Sequence, residues 1–355
     1  TDWLRQLMGL PADFDGVIND TASSSSLYAL AAARDVAYPD AHERGLFSQP
    51  VGRVYASDQT HTSIEKAALT LGFGQDGYCA IASDSEFRLR PAVLRAAIES
   101  DIAHGVRPVA VVATLGTTSS SSIDPVGEIA VIAREFGLWL HVDAAYAGPA
   151  AIVPELRPLL AGWEHADSIV VNPHKWLFTP FDLSAFYCRR MDRVREAFSV
   201  TPSYLQTPNS EPVRNLMDTG VQLGRRFRAL KLWMVLRHFG AEGMRRRLAE
   251  HIRLAALFAS WVDASETFER LAPVPFSVVC FRACPPGLQG EEPTLDDLNR
   301  RLLDDVNATG DVFLSHTSLD GRFALRLAVG HIRTTERHVA RAWELLEKRL
   351  AASWS

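Results

Sequence analysis

A short apolar run that stops abruptly at a proline constrains the fold of this chain most. Residues 169–171 read Ile-Val-Val, which is typical of a buried strand, and Asn172-Pro173 follows them. Proline has no N–H group to donate, so the strand must end there. Lys175 comes next, and we expect the rings of His174 and Trp176 to shield it from water. Desolvation favours a neutral amine, which can form a Schiff base with a carbonyl, although an ordinary exposed loop lysine also suits this position.

A second apolar run, residues 138–142, ends at Asp143 and is followed by small residues. Apolar strands that alternate with helices predict a parallel sheet, and we expect both runs to end at its ligand-binding edge. A lysine for the aldehyde and an acid for the pyridine nitrogen are the two groups that a pyridoxal phosphate site requires. Taken alone, Asp143 is also compatible with a helix N-cap.

The segments His141-Val-Asp-Ala-Ala-Tyr146 and Asn172-Pro-His-Lys-Trp176 resemble the signature of the pyridoxal-phosphate-dependent group II amino acid decarboxylases. The resemblance is closest to the aromatic-L-amino-acid decarboxylases and runs from Trp3 to the last helix. It implies a fold-type I, aspartate-aminotransferase-like α/β architecture with a mainly parallel sheet. We expect a large cofactor domain over residues 1–230 and a small C-terminal α/β domain over 231–355. A homodimer with a shared active site is also implied.

The resemblance assigns roles to individual residues of this sequence. Lys175 is expected to hold pyridoxal phosphate, Asp143 to keep the ring nitrogen protonated, and His61 to stack on the ring. Tyr204 corresponds to the family's catalytic-loop tyrosine, which helps to deliver a proton to the α-carbon. The remaining expected cofactor contacts are Thr21, Ala22, Ser23, Thr118, Ala145, Asn172 and His174.

The phosphate contact has independent support in the local sequence. The Thr/Ser-rich residues 21–26 precede a strong helix former, residues 27–34, and free N–H groups at a helix N-terminus favour a phosphate. The same composition is typical of a plain serine N-cap. Asp20 stands where the family usually has glycine, and Ser24 where it usually has an acid. A carboxylate at Asp20 would repel a phosphate unless it pointed away.

Two of the assigned residues are unremarkable without the family match. A lone histidine at a strand-to-helix turn, as at His61, is usually structural. Tyr204 lies in residues 198–212, which contain three prolines and several small polar residues and read as a mobile loop with an exposed tyrosine.

Composition excludes several other classes of protein. The 355 residues are 47% hydrophobic and 22% charged, which is ordinary for a soluble enzyme of one large or two moderate domains. The net charge of −5 argues against a nucleic-acid partner, despite four basic residues within 225–231. No apolar run approaches the roughly 20 residues of a membrane span. The four cysteines show no zinc-site spacing, and we expect reduced thiols in a cytoplasmic protein with no bound metal and no signal peptide.

Three other functions remain open at this point. A transaminase of the same fold would need an arginine for the substrate carboxylate, and Arg326 is placed for that role, although it is equally compatible with a structural ion pair. A decarboxylating aldehyde synthase is disfavoured, because that branch tends to replace the loop tyrosine or the stacking histidine. A non-catalytic assembly module is disfavoured by Lys175 and Asp143. Against the family pattern we expect an N-terminal segment that supplies part of the substrate pocket to be missing, so the aromatic substrate is expected from family closeness only.

Overall fold

A computed structural model of the chain describes residues 1–200 and 215–354, which pack as two compact units. The first unit comprises the described parts of Thr1–Asp84, Arg88–Leu115 and Asp124–Gly240. The second comprises Ser85–Phe87, Gly116–Ile123 and the described part of Ala241–Ser355, so it includes two short segments from the first half of the chain.

A seven-stranded sheet organises the first unit. Its strands are β1 (Asp15–Asn19), β2 (Gly52–Ser57), β3 (Tyr78–Ile81), β4 (Arg107–Thr114), β5 (Trp139–Asp143), β6 (Ser168–Val171) and β7 (Ser184–Cys188). Their order is β1-β7-β6-β5-β4-β2-β3. Strand β7 runs antiparallel to both of its neighbours, and the other pairs are parallel. The predicted mainly parallel sheet is therefore confirmed.

Helices connect the strands and cover the sheet. They are α1 (Asp2–Met8), α2 (Ala22–Ala37), α3 (Ala41–Arg44), α4 (Ser63–Thr70), α5 (Pro91–Ala103), α6 (Val126–Phe136), α7 (Pro173–Trp176), α8 (Met191–Phe198) and α9 (Ala229–Ala264). Helix α9 is interrupted at Gly240, whose φ of 62° is not helical, and the first unit ends there. Helix α2 buries its Ala/Leu-rich face against the sheet, where Leu30 and Ala33 share a core cluster with Val54, Val112 and Phe186.

The direction of the strands places the last residues of six of them on one edge of the sheet, which we call the carboxyl edge. Because β1 and β6 both run antiparallel to β7, they run parallel to each other and to β5, β4, β2 and β3. The residues at this edge are Asn19, Ser57, Ile81, Thr114, Asp143 and Val171. The segments that carry His61, Lys175 and the start of α2 all leave the sheet here.

The second unit has its own antiparallel sheet, with the order β10-β11-β9-β8. The elements are β8 (Phe268–Arg270), β9 (Val278–Ala283), α10 (Glu292–Asn307), β10 (Ser315–Leu319), β11 (Arg322–Ala328) and α11 (Glu336–Trp354). Its core includes Phe258, Phe281 and Leu346. The apolar runs of residues 277–282 and 323–329 predict β9 and β11, and the amphipathic pattern of residues 335–350 predicts the final helix, but the sequence does not predict β8 or the polar β10. An Asp320-Gly321 turn with positive φ joins β10 to β11, a hairpin signal that the sequence analysis overlooked.

Candidate active site

The start of α2 lies at the carboxyl edge, where the sequence predicts a phosphate cradle. Thr21 is the N-cap of the helix, and its side chain accepts a hydrogen bond from the Ser24 N–H at 3.5 Å. Ala22 is buried in a small apolar cluster with Ala145 and Val170. The first turn of α2 therefore lies against the ends of β5 and β6. The first N–H groups of a helix have no acceptor within it, so this turn can bind an anion.

Asp20 is hydrogen-bonded into the same turn. Its carboxylate accepts from the Thr21 N–H at 2.7 Å, from the Ser24 hydroxyl, and from the Gln222 amide at 3.1 Å. Desolvation raises the pKa of Asp20, but these hydrogen bonds outweigh it and hold the pKa below its usual value. An ionised carboxylate thus lies beside Thr21 and Ser24, while the side chain of Ser23 is exposed.

Asp143 ends β5 and is 6% exposed. Its Oδ1 atom accepts a hydrogen bond from the Ala145 N–H at 3.0 Å, which orients the carboxylate at the carboxyl edge. Asp143 pairs in register with Thr114 of β4 and Val170 of β6, so it lies in the middle of the sheet. A buried acid here is placed to accept a hydrogen bond from a protonated ring nitrogen.

Lys175 lies on the short helix α7, which begins with Pro173 directly after β6. The lysine is exposed, whereas Trp176 is 1% exposed and stacks on Tyr146 with 5.2 Å between the ring centroids. The expectation that the indole shields Lys175 is therefore wrong. Consecutive residues of a helical turn point about 100° apart, so Trp176 enters the core while Lys175 faces outwards.

Two imidazoles lie within electrostatic reach of Lys175. Desolvation lowers the pKa of His61, the positive charge of Lys175 lowers it further, and Asp143 acts in the opposite direction. Desolvation and Lys175 lower the pKa of His174 in the same way. Both rings therefore favour the neutral form at pH 7, and the structure brings His61, Asp143, His174 and Lys175 into one neighbourhood.

Backbone donors orient both rings. Nδ1 of His61 accepts the Ser63 N–H at 3.2 Å and lies 2.8 Å from the Ser63 hydroxyl. Nδ1 of His174 accepts the Leu183 N–H at 2.8 Å. In a neutral ring an accepting Nδ1 leaves the proton on Nε2, so each imidazole presents an N–H donor on its other side.

Asn172 provides a test of whether pyridoxal phosphate suits this edge. The residue is 2% exposed, and its Oδ1 atom has no hydrogen-bond partner among the described residues. A buried acceptor without a donor is costly unless a ligand satisfies it. The pyridoxal ring carries a hydroxyl group as well as a basic nitrogen, so it offers donors that Asn172 and Asp143 can use. The residues present fit the cofactor.

Three residues singled out in the sequence belong to the second unit or lie outside the described residues. Thr118 belongs to the second unit, where its carbonyl accepts from Arg326 at 2.7 Å. Arg326 also donates to the Ser119 carbonyl at 2.9 Å, so it is engaged with the backbone rather than with an ion pair. Tyr204 lies outside the described residues.

The sequence analysis missed Asp124, whose side chain is hydrogen-bonded to the end of β4 at the carboxyl edge. Its two carboxylate oxygens accept the N–H groups of Leu89 and Thr114, each at 2.7 Å. Complete burial raises the pKa of Asp124 to about 7, and the two N–H donors act against that rise. The available signal was an acid directly before Pro125 and α6, but its partners come from two other segments of the chain.

No group of three or more metal-ligating side chains occurs within residues 1–200 and 215–354. No helix in the same ranges is long and apolar enough to cross a membrane.

The fold and the edge together define a site for a pyridoxal-type aldehyde cofactor. Residues 1–284 match the family described as the pyridoxal-dependent decarboxylase conserved domain. The chain belongs to this family. It is a fold-type I enzyme, a pyridoxal-phosphate-dependent carboxy-lyase.

Individual relatives agree with this assignment. Tyrosine decarboxylase 2 of Arabidopsis thaliana is 41% identical over 98% of the chain and 65% of its own length. Phenylacetaldehyde synthase of the same organism is 40% identical over 98% of the chain and 72% of its own length. The crystal structure of Oryza sativa TDC with PLP and tryptamine is 38% identical, with a TM-score of 0.95 over 100% of this chain and 75% of that one. The chain thus spans roughly two thirds to three quarters of these proteins.

The charge of Lys175 should be measurable at His61. In the cofactor-free protein, Lys175→Met removes a positive charge that opposes protonation, so the pKa of His61 should rise and the ring should protonate at higher pH. The control is Lys66→Met, because Lys66 is exposed and acts on His61 more weakly. NMR titration of the histidine rings measures the pKa of His61 in both variants. An equal rise in the two variants, or no rise with Lys175→Met, would contradict the arrangement.

Proposed function

We propose that this protein decarboxylates an aromatic L-amino acid to the corresponding amine and CO₂. One observation carries the proposal: Asp143 and Lys175 follow the adjacent strands β5 and β6, next to the first turn of α2. That arrangement offers an acid, an amine and an anion-binding turn at one edge. The relatives support the aromatic substrate class, because one is a tyrosine decarboxylase and another was crystallised with tryptamine.

The proposed roles follow from the chemistry of each side chain. When bound, pyridoxal phosphate supplies the sink for the electrons that are released as CO₂ leaves. The amine of Lys175 would hold the cofactor through its aldehyde. The carboxylate of Asp143 holds a proton on the ring nitrogen. Thr21, Ala22 and Ser23 bind the phosphate.

The neutral rings of His61 and His174 add no positive charge beside Lys175 and Asp143. An uncharged His61 can lie flat against an aromatic ring without competing with Asp143 for the ring proton. Its Nε2–H donor is available for the substrate carboxylate, because Nδ1 accepts from Ser63. His174 likewise keeps an Nε2–H donor beside Lys175. Thr118, Ala145 and Asn172 are proposed as further cofactor contacts.

Among the alternatives, the transaminase loses its main support. Arg326 donates from Nε to the Ser119 carbonyl and from Nη2 to the Thr118 carbonyl, so it is not held ready for a substrate carboxylate. The aldehyde synthase remains the second candidate, since a phenylacetaldehyde synthase is among the relatives. The presence of both His61 and Tyr204 in the sequence favours the amine-forming reaction.

The reaction itself provides the first test. The protein loaded with pyridoxal phosphate should release CO₂ and equimolar amine from tryptophan, tyrosine, phenylalanine or dihydroxyphenylalanine, but not from glutamate or histidine. Borohydride reduction followed by peptide mapping should find the pyridoxyl group on Lys175. Lys175→Ala should lose both this label and multiple turnover, because no amine remains to hold the cofactor. Keto acid in place of amine, or full labelling of the variant, would sink the proposal.

Tyr204 is proposed to deliver the proton to the α-carbon. Tyr204→Phe removes only the hydroxyl group, so the variant should still bind substrate and release CO₂. Without prompt protonation, oxygen can take two electrons from the α-carbon, and hydrolysis then gives aldehyde and ammonia with peroxide. We expect less amine and measurable peroxide under air. Unchanged amine yield without aldehyde would show that another group is the donor.

A homodimer is proposed as the working form. Residues 216–234 expose seven large apolar side chains: Leu216, Val221, Leu223, Phe227, Leu230, Trp233 and Met234. So many exposed apolar side chains in one segment are typical of a protein interface, and in the family this segment lies between subunits. Phe227→Asp with Leu223→Asp should therefore shift sedimentation towards a monomer. Phe313→Asp in the second unit alters a side chain that is 84% exposed and should not. A wild-type monomer would refute the proposal.

A reducing, cytoplasmic environment is proposed for the protein. Cys79, Cys188, Cys280 and Cys284 are all free thiols, and the last three are buried. Cell fractionation would locate the protein, and recovery in an oxidising compartment would contradict the proposal.

A further inference from the structure

The structure divides the serine run of residues 23–26 between two surfaces of α2. Ser23 is exposed, whereas Ser25 and Ser26 are fully buried against the sheet. Ser25 accepts from the Asn19 amide at 3.1 Å and lies 3.0 Å from the Ser184 hydroxyl. Ser26 is 2.9 Å from Nε2 of His141. The last two serines therefore attach the helix to the sheet and are not part of a phosphate-binding surface.

His141 is the centre of a buried chain of hydrogen bonds. Its Nδ1 lies 2.9 Å from the Ser168 hydroxyl, which accepts the Trp139 indole N–H at 2.8 Å. Because the indole only donates, the Ser168 hydrogen is available to Nδ1, and Nε2–H of His141 can then donate to Ser26. Complete burial lowers the pKa of His141 to about 4, so the ring is neutral at pH 7. Every polar group in the chain then has a partner.

This chain of bonds joins three of the elements that carry proposed cofactor contacts. His141 lies on β5, and side chains two residues apart on a strand share a face, so it lies beside Asp143 on that face. Ser168 begins β6, which leads to Lys175. Ser26 is one helical turn after Ala22, at the start of the proposed phosphate cradle. A single imidazole thus links the strand of the acid, the strand of the lysine and the helix of the cradle.

The link matters because of the shape of the cofactor. The phosphate and the ring nitrogen of pyridoxal phosphate project from different positions of one rigid ring, so both are held only if the cradle and Asp143 are correctly spaced. The apolar contact of Ala22 with Ala145 and Val170 tolerates sliding. A hydrogen bond is directional and short in range, so it fixes one position of the helix.

We propose that His141 and Ser26 are positioning residues that set the distance between the phosphate cradle and Asp143. The proposal rests on the proposed roles of Asp143 and of residues 21–23. Loss of the hydrogen bond between His141 and Ser26 should weaken the binding only of a ligand that contacts both the phosphate cradle and Asp143. Pyridoxal lacks the phosphate and inorganic phosphate lacks the ring, so neither of them depends on the spacing.

The experiment compares the affinities of three probes by equilibrium dialysis: pyridoxal phosphate, pyridoxal and inorganic phosphate. Ser26→Ala removes the helix side of the link. His141→Asn keeps an amide near the Nδ1 position but cannot reach Ser26. Each variant should bind pyridoxal phosphate about tenfold more weakly, the effect of one buried hydrogen bond, while the other two probes change less than about twofold.

Two further variants separate positioning from general stability. His141→Gln places an amide near the Nε2 position and should restore much of the affinity. Tyr55→Phe removes a buried hydrogen bond of 2.6 Å to Asp101, and Tyr55 pairs in the sheet with Cys79 and Val111, which are not proposed cofactor contacts. It should lower the melting temperature about as much as Ser26→Ala does, yet leave the affinity for pyridoxal phosphate relative to pyridoxal unchanged.

The outcomes are distinguishable. Equal weakening of pyridoxal and pyridoxal phosphate in Ser26→Ala and His141→Asn would overturn the positioning role, and so would a selective loss in Tyr55→Phe. A wild-type protein that binds neither pyridoxal nor its phosphate would overturn the proposed function, and this inference with it. Binding by the wild type with no selective loss in the variants would overturn the inference alone.

Discussion

The shared direction of β1 to β6 is the constraint on which this structure depends. It carries the ends of six strands to one edge, and residues separated by more than a hundred positions in sequence become neighbours there. No long loop is needed to build the site, because His61, Asp143 and Lys175 each lie within a few residues of a strand end. Asp124 reinforces the arrangement by tying the end of β4 to Leu89 with two backbone hydrogen bonds.

The electrostatics of this edge follow from unequal burial. Asp143 is nearly buried while Lys175 is exposed, so the acid is fixed by its surroundings and the amine can move on its long stem. Two imidazoles with lowered pKa values lie near the lysine without adding positive charge to it. Within this neighbourhood Lys175 is a mobile cation and Asp143 is held in one place. This suits a reaction that moves electrons from a substrate into a ring.

Much of this arrangement could be predicted from local pattern. The strand ends at Asp143 and Val171 follow from apolar runs and a proline. The strand predicted over residues 184–188 from the sequence matches β7. Features that depend on distant partners could not be predicted. Nothing near His141 in the sequence indicates Ser26, which lies 115 residues away, and nothing beside Lys175 indicates that Trp176 turns inwards. Strand β10 was missed because its polar sequence takes its strand form from pairing with β11.

The hydrogen bond between Asp20 and Ser24 also limits which residues this turn can hold. The family that the sequence resembles usually has glycine at the first position and an acid at the second, whereas here the carboxylate lies at position 20. A glutamate at position 24 beside Asp20 would place two carboxylates against the same first turn, next to the anion-binding N–H groups. A turn with a single acid avoids that repulsion. Acids at positions 20 and 24 are therefore unfavourable together in this turn.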